Sequence, residues 1–459
     1  MHAVAVLSLF AVMASAFSPI VKAPSPSLGP ISNDACALGF DFGTSGVRCV
    51  IVDAAGKLVA SPTGYMWGAA GERSQTAGDW EAALHAQLDA LPADVVRRVE
   101  RIAISGTSGS MLLVGEDGAP SAGRGNPRMY DFSVSKQGAA GSGEAALAQL
   151  RKCAPEGHTV CSATSALAKL LSYHHEAHLT DGERLAHQAD YVASLLTGAP
   201  PTSDWHNALK LGFDVRSLAY PDWLASGEIG EIVHERLPAV VRPGDLVGAV
   251  SAEVAARWGL PPSCTVVGGT TDSIAAFLAA GATEVGDAVT SLGSTVAIKL
   301  LSSVPVDDAS RGVYSHRLGN RWLVGGASNA GCAVLREQGF DTDELTRLSS
   351  DIDPESDPPH LSYYPLSANT VGERFPRPDD EAVGMLAPVP EQRSAFLHCI
   401  LYVNCRRRRR RTHAEGASST SASTSASAST STSDPLRART QRRTRTLAHR
   451  STCAEAAPA

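Results

Sequence analysis

The strongest constraint on what this chain can fold into is a local pattern that occurs twice. Leu38–Asp53 reads as two short strands around the tight turn Asp41-Phe42-Gly43-Thr44-Ser45-Gly46, and Ala288–Ile298 repeats it around Gly293-Ser294-Thr295. Apolar or alternating runs on both sides of a Gly-rich turn specify a β-hairpin. Gly43 and Gly46 carry no Cβ and tolerate positive φ, so the backbone there can approach a ligand. Successive N–H groups in such a turn form an anion-binding concavity. Asp41 is an odd neighbour for a bare phosphate and makes sense when a divalent cation lies between the two. An ordinary hairpin would also accept these residues. Two such turns, one in each half of the chain, are much more specific than either alone.

At 459 residues the chain has room for two domains with full cores. The net charge of −7 exerts no global pull on nucleic acid, but it conceals a break. Residues 406–459 hold twelve Arg against three acids, a net of +9, which leaves −16 for residues 1–405. That last stretch, six Arg followed by a Ser/Thr/Ala tract and more Arg, cannot bury a core and is expected to be disordered over 401–459. Nine scattered cysteines with no C-x-x-C pair read as free thiols of a reducing compartment. Val4–Ala14 is a short apolar run ending in small residues, followed by a segment with no acid before Asp34. Residues 1–33 are thus expected to be a presequence. The Ala14-Ser15-Ala16-Phe17 junction resembles bipartite plastid presequences, which implies the plastid stroma; a plain secretory signal is the alternative.

In chain order, residues 36–61 predict a three-strand meander, and Gly78–Leu91 a helix with Asp79 as its cap and Trp80, Leu84 and Leu88 on one face. Arg101–Ile104 predicts a buried strand running into the turn Ser105–Ser110, and Met111–Val114 the next strand. Ligands of α/β sheets gather at such strand ends, so Thr107 and Ser108 are candidate ligand donors; satisfying the turn is their other reading. Asp204 opens Asp-Trp-His-Asn-Ala-Leu-Lys and is either a ligand or a helix N-cap. His206 reads as a surface or packed histidine. A domain boundary is expected near Arg242–Pro262, giving domains over 34–248 and 262–400. Beyond it, Val266–Asp272 predicts a strand with a Gly/Thr turn, and Ser273–Gly281 an apolar helix. Asp272 at that helix N-terminus is a cap or a general base, with the helix dipole favouring its ionised form. Gly312–Leu318 and Arg321–Gly325 predict a hairpin.

The turn Asp41–Ser45 resembles the first phosphate motif of the actin-like ATPase superfamily. Together with Gly269–Asp272 and Ser291–Thr295, in this order and spacing, it resembles the FGGY carbohydrate kinases over about residues 37–400. Gly106-Thr107-Ser108-Gly109, Ser203–Asp214, Gly268–Phe277 and Gly325–Leu335 bring the resemblance closest to the plant and cyanobacterial xylulokinase-like D-ribulose kinases. That likeness implies two ribonuclease-H-like α/β domains facing a cleft, and an ATP- and Mg²⁺-dependent kinase acting on the terminal hydroxyl of a small sugar, D-ribulose before D-xylulose. No nucleic-acid partner and no membrane partner of the mature form is implied. The resemblance makes Asp272 the catalytic base and Asp41 the Mg²⁺ ligand. Gly43, Thr44, Ser45 and Gly46, with Gly293, Ser294 and Thr295 from the other domain, would hold the phosphates. Thr107, Ser108, Asp204 and Asp272 would hold the sugar. The family's sugar-gripping Asn/Asp-x-Arg is not matched, since Phe132-Ser133 follow Asp131. From Cys399 on, the family's long helix and its Gly-Gly-Gly adenosine loop are also not matched, so the second domain is expected to be incomplete. A sugar-binding remnant without turnover and an actin-like ATPase are the other readings.

Overall fold

The computed structural model describes residues 28–68, 75–292, 296–308, 311–328, 331–353, 356 and 393–398. Most of the expected presequence, the Gly293–Thr295 turn and the Arg/Ser-rich stretch 401–459 lie outside them. Contacts divide the chain into two units, one holding 1–289 and 299–325, the other 290–298 and 326–458.

The first unit is built on a sheet that begins with the expected meander: β1 (Cys36–Phe42), β2 (Gly46–Asp53), β3 (Leu58–Ala60) and β4 (Tyr65–Met66). Alternation along β1 turns Cys36, Leu38, Phe40 and Phe42 into the core. Helix α1 (Ala77–Asp89) covers that side with Trp80, Leu84 and Leu88. Its cap is Thr76 rather than Asp79. Asp79 N–H donates to Thr76 Oγ1 (3.1 Å) while Thr76 N–H donates to Asp79 Oδ2 (2.7 Å), a reciprocal capping box.

Strand β5 (Val99–Gly106) runs parallel to β1 and occupies the middle of the sheet. β6 (Met111–Val114) leaves it to pair with β7 (Arg184–His187) over a second core, where Leu147 and Leu150 of α2 (Ser142–Cys153) meet Leu167, Leu170 and Leu171 of α3 (Ala166–Glu176). Helix α4 (Gln188–Thr197) closes on Gly198 in the left-handed region. β8 (Thr202–Asp204) leads into the single-turn helix α5 (Trp205–Ala208) and pairs with β9 (Ala239–Val241).

β10 (Leu246–Ala249), β11 (Thr265–Val267) and β12 (Thr270–Thr271) then return to the first sheet, where β11 and β12 both run parallel to β5. The sheet order is β10-β11-β5-β1-β2-β3. The boundary expected at Arg242–Pro262 therefore falls within this sheet's strands, which continue to Thr271 because apolar β11 finds its hydrogen-bonding partner in β5. Helix α6 (Asp272–Ala279) follows directly, burying Ile274 and Phe277 against Leu301 and Leu323. Those two leucines come from β14 (Val296–Ser302) and β16 (Arg321–Ser328), in a sheet of order β13-β14-β16-β15 with β13 (Ala288–Leu292) and β15 (Tyr314–Leu318).

In the second unit, Cys332, Val334, Leu335 and Phe340 pack with Leu348 of α7 (Thr342–Ser350) and with Phe396 and Leu397. Arg393 pairs with Glu344 and lies over the Phe340 ring.

Candidate functional site

Three neighbouring parallel strands end at the same level. In register, Asp41 of β1 lies beside Ser105 of β5, which lies beside Thr270 of β12; one residue on, Phe42, Gly106 and Thr271 are aligned. The next residues are the Gly43 turn, the Thr107–Ser110 turn and Asp272. Parallel pairing alone converges segments that are more than sixty residues apart in sequence, at the edge where α/β sheets place ligands.

The turn between β1 and β2 is closed by Gly43 N–H donating to Gly46 O (2.9 Å), and Trp67 fastens it by donating Nε1–H to Gly43 O (3.0 Å). Thr44 and Ser45 are exposed, and their hydroxyls and N–H groups have no partner among the described residues. The glycines act differently from the expectation. Neither Gly43 nor Gly46 has positive φ. Gly46 is needed because a Cβ would fall 2.2 Å from Tyr65 O of the neighbouring β4. Gly269 is held likewise, with a Cβ there 1.9 Å from Ile104 O. Asp41 accepts a hydrogen bond from Ser105 Oγ at 2.7 Å, which fixes its carboxylate.

Asp272 is half-buried and opens α6, and its Oδ1 accepts from Ser273 N–H (2.6 Å). Burial pushes its carboxyl up to about 6, assisted by the Asp41 carboxylate; the Ser273 N–H and the ammonium groups of Lys210 and Lys299 pull the other way. Desolvation therefore outweighs the helix N-terminus that was expected to hold it ionised. Lys299 is buried, and burial lowers its ammonium to about 8 against the attraction of Asp272. Lys210 donates to Ser108 O (3.3 Å).

The candidate ligand donors separate into two kinds. Thr107 is buried, with Oγ1 donating to Gln188 Oε1 (2.9 Å) and lying 2.6 Å from Ser110 Oγ. Its hydroxyl serves the turn. Ser108 is half-buried, and its hydroxyl has no partner among the described residues. Asp204 is also buried: Oδ1 accepts from His206 N–H (2.8 Å) and Asn207 N–H (3.2 Å), and Oδ2 from Asn207 Nδ2 (2.7 Å). It is the cap of α5, with both oxygens occupied. Arg128, near the unmatched sugar-gripping segment, stacks over Tyr173 and pairs with Glu176 inside the second core.

Sequence reasoning missed Lys169, Lys210, Lys299 and Ser105. Lys169 is fully buried and donates to Gly109 O and Met129 O (2.7 Å each); burial lowers it to about 7. A lysine inside an apolar run is the available signal, since Lys299 interrupts Val296-Ala297-Ile298-Lys299-Leu300 and Lys169 interrupts Ala168-Lys169-Leu170. Among the described residues, no three His, Cys, Asp or Glu side chains are grouped as a self-contained metal site. Asp41 instead suits a cation shared with phosphate oxygens and water.

No protein-family model matches the chain. Among curated proteins it is 23% identical to xylulose kinase of Klebsiella pneumoniae over 300 residues, covering 62% of this chain and 59% of that protein. It is 27% identical to gluconokinase of Bacillus subtilis over 165 residues, covering 32% of this chain and 31% of that one. The chain thus spans less than two thirds of the length of these relatives. Among solved structures, it matches ligand-bound xylulose kinase from Lactobacillus acidophilus with a TM-score of 0.59 at 15% identity, covering 80% of this chain and 75% of that one. Xylulose kinase from Rhodospirillum rubrum gives 0.60 at 21% identity, covering 80% and 75%. Plasmodium falciparum glycerol kinase with ADP gives 0.58 at 14% identity, covering 80% and 76%. The fold is the mixed α/β fold of the actin-like ATPases. Within that class it is the FGGY kinase fold.

Proposed function

We propose that this chain is an ATP-dependent sugar kinase that phosphorylates the terminal hydroxyl of a pentulose, D-ribulose before D-xylulose. The observation that carries the reading is the alignment of Asp41, Ser105 and Thr270 across three strands, which brings the Gly43–Gly46 turn, Ser108 and Asp272 to one edge. Similarity to xylulose kinase and gluconokinase supports a sugar as acceptor.

Phosphoryl transfer needs alignment and charge neutralisation more than covalent chemistry. The exposed hydroxyls and amides of Thr44 and Ser45 suit the terminal phosphates of the nucleotide; Gly293, Ser294 and Thr295, phosphate contacts by resemblance, lie outside the described residues. Mg²⁺, when bound through Asp41, neutralises charge on those phosphates. Asp272, pushed up to about 6, remains mostly ionised at neutral pH yet basic enough to accept the proton of the sugar hydroxyl as its oxygen closes on the γ-phosphorus. Lys210 and Lys299, which both act on Asp272, offset negative charge in the site. Ser108 is the sugar-side donor. Asp204 and Thr107 support the site from the interior.

A sugar-dependent ADP-release assay tests the reading. Asp272→Asn should lower kcat by ~10²–10⁴-fold while leaving sugar binding intact; substantial residual turnover would remove Asp272 from the role of base. The Arg/Ser-rich composition after Cys405 favours a second reading, a sugar-binding protein without turnover. Sugar binding in the absence of any ATP binding would select it.

A further inference from the structure

His206 and Asn207 lie on a buried single-turn helix capped by Asp204, and both reach Thr270, two residues before Asp272. His206 Nε2 is 2.7 Å from Arg317 O, and a carbonyl can only accept, so that nitrogen carries the proton. Burial lowers the His206 pKa, so the ring stays neutral and Nδ1 accepts from Thr270 Oγ1 at 2.7 Å. Asn207 Nδ2 donates to Thr270 O at 3.3 Å and to Asp204 Oδ2 at 2.7 Å. Thr270 is thereby held by its hydroxyl and its carbonyl, while β12 is paired with β5. The groups around the imidazole are Asp204 on its own helix, Lys299 from β14, and His316 and the Arg317 carbonyl from β15. His316 is itself buried and kept neutral by burial and by Lys299.

We propose that His206 and Asn207 are positioning residues for Asp272. By gripping Thr270 they fix the β12–α6 junction, and so set where the carboxylate points and how much water reaches it. A mislocated base costs rate without costing affinity, because substrate contacts made elsewhere persist. This inference rests on the kinase reading for its kinetic readout only.

Thr270→Val removes the hydroxyl at nearly constant volume and leaves His206 and its bond to Arg317 in place, so the loss is confined to the bond at Nδ1. It should lower kcat by ~10- to 100-fold with KM for the sugar changed by no more than about threefold. Thr270→Ser, which keeps the donor, should restore most of kcat. Carboxyl-¹³C NMR of aspartate-labelled protein, with Asp272 assigned by its absence in Asp272→Asn, gives a readout independent of turnover. Thr270→Val should move the Asp272 titration down toward the ordinary carboxylate range, and Thr270→Ser should not. An unmoved titration together with unchanged kcat in Thr270→Val would overturn the proposal, as would equal losses in the two variants. If the wild-type chain phosphorylates no sugar, the kinase reading fails, while the NMR titration still decides the positioning role.

Discussion

Asp272 and Lys299 are displaced toward each other on the pH scale, one carboxylate raised by burial and one ammonium lowered by it. As the proposed base, Asp272 must be ionised, so activity should be lost as pH falls through about 6. In the proposed role, Lys299 offsets charge only when protonated, so activity should be lost again as pH rises through about 8. We expect a bell-shaped kcat/KM profile between these limits, with both limbs belonging to the coupled pair, and Lys299→Met should abolish the alkaline limb. A profile flat from acid to alkaline pH would remove both groups from the step. The residues around the strand ends make a second prediction. Thr107 is consumed by Gln188 and Ser110, so Thr107→Val should cost about 1–3 kcal/mol in a denaturant titration and leave KM for the sugar alone. Ser108→Ala should do the reverse, raising KM with little effect on stability. From sequence these neighbours look equivalent, because turn residues of one type can face in or out, and it is contact with Ser110 and with the Gln188 side chain, eighty-one positions away, that separates them.

At the scale of elements, the hairpins, the strand β5 and the helices α1 and α6 were legible, since each is written in local periodicity and turn chemistry. What periodicity could not say is which strand pairs with which. Pairing decides that β11 and β12 join the first sheet and that β6 leaves it. It also gives the glycines their reason. Gly46 and Gly269 are demanded by a neighbouring backbone and not by positive φ, so Gly46→Ala and Gly269→Ala should each destabilise by roughly 1–3 kcal/mol or more. Gly43→Ala, where the nearest atom to a Cβ is 3.6 Å away, should be tolerated thermodynamically. Equal denaturation midpoints for all three variants would contradict this ordering. The role of α5 was not legible at all. Asp204 reads as ligand or cap, and its use as a cap that aims His206 and Asn207 at Thr270 depends on contacts spanning more than sixty residues.

For the whole molecule, the FGGY fold was legible from three short motifs because that architecture fixes their order and spacing. The setting of Ser108 was not, since its half-buried side chain and the bond from Lys210 to its carbonyl are set by tertiary placement. The catalytic assignment nevertheless reduces to one carboxylate at the end of one short strand. The measurement to make is ADP release by the wild-type chain and by Asp272→Asn, with D-ribulose, D-xylulose and no sugar, alongside calorimetric binding of the same sugars. Wild-type turnover that requires a pentulose, with binding retained and turnover lost in Asp272→Asn, is the predicted result. ADP release indifferent to sugar, or undiminished in Asp272→Asn, would contradict it.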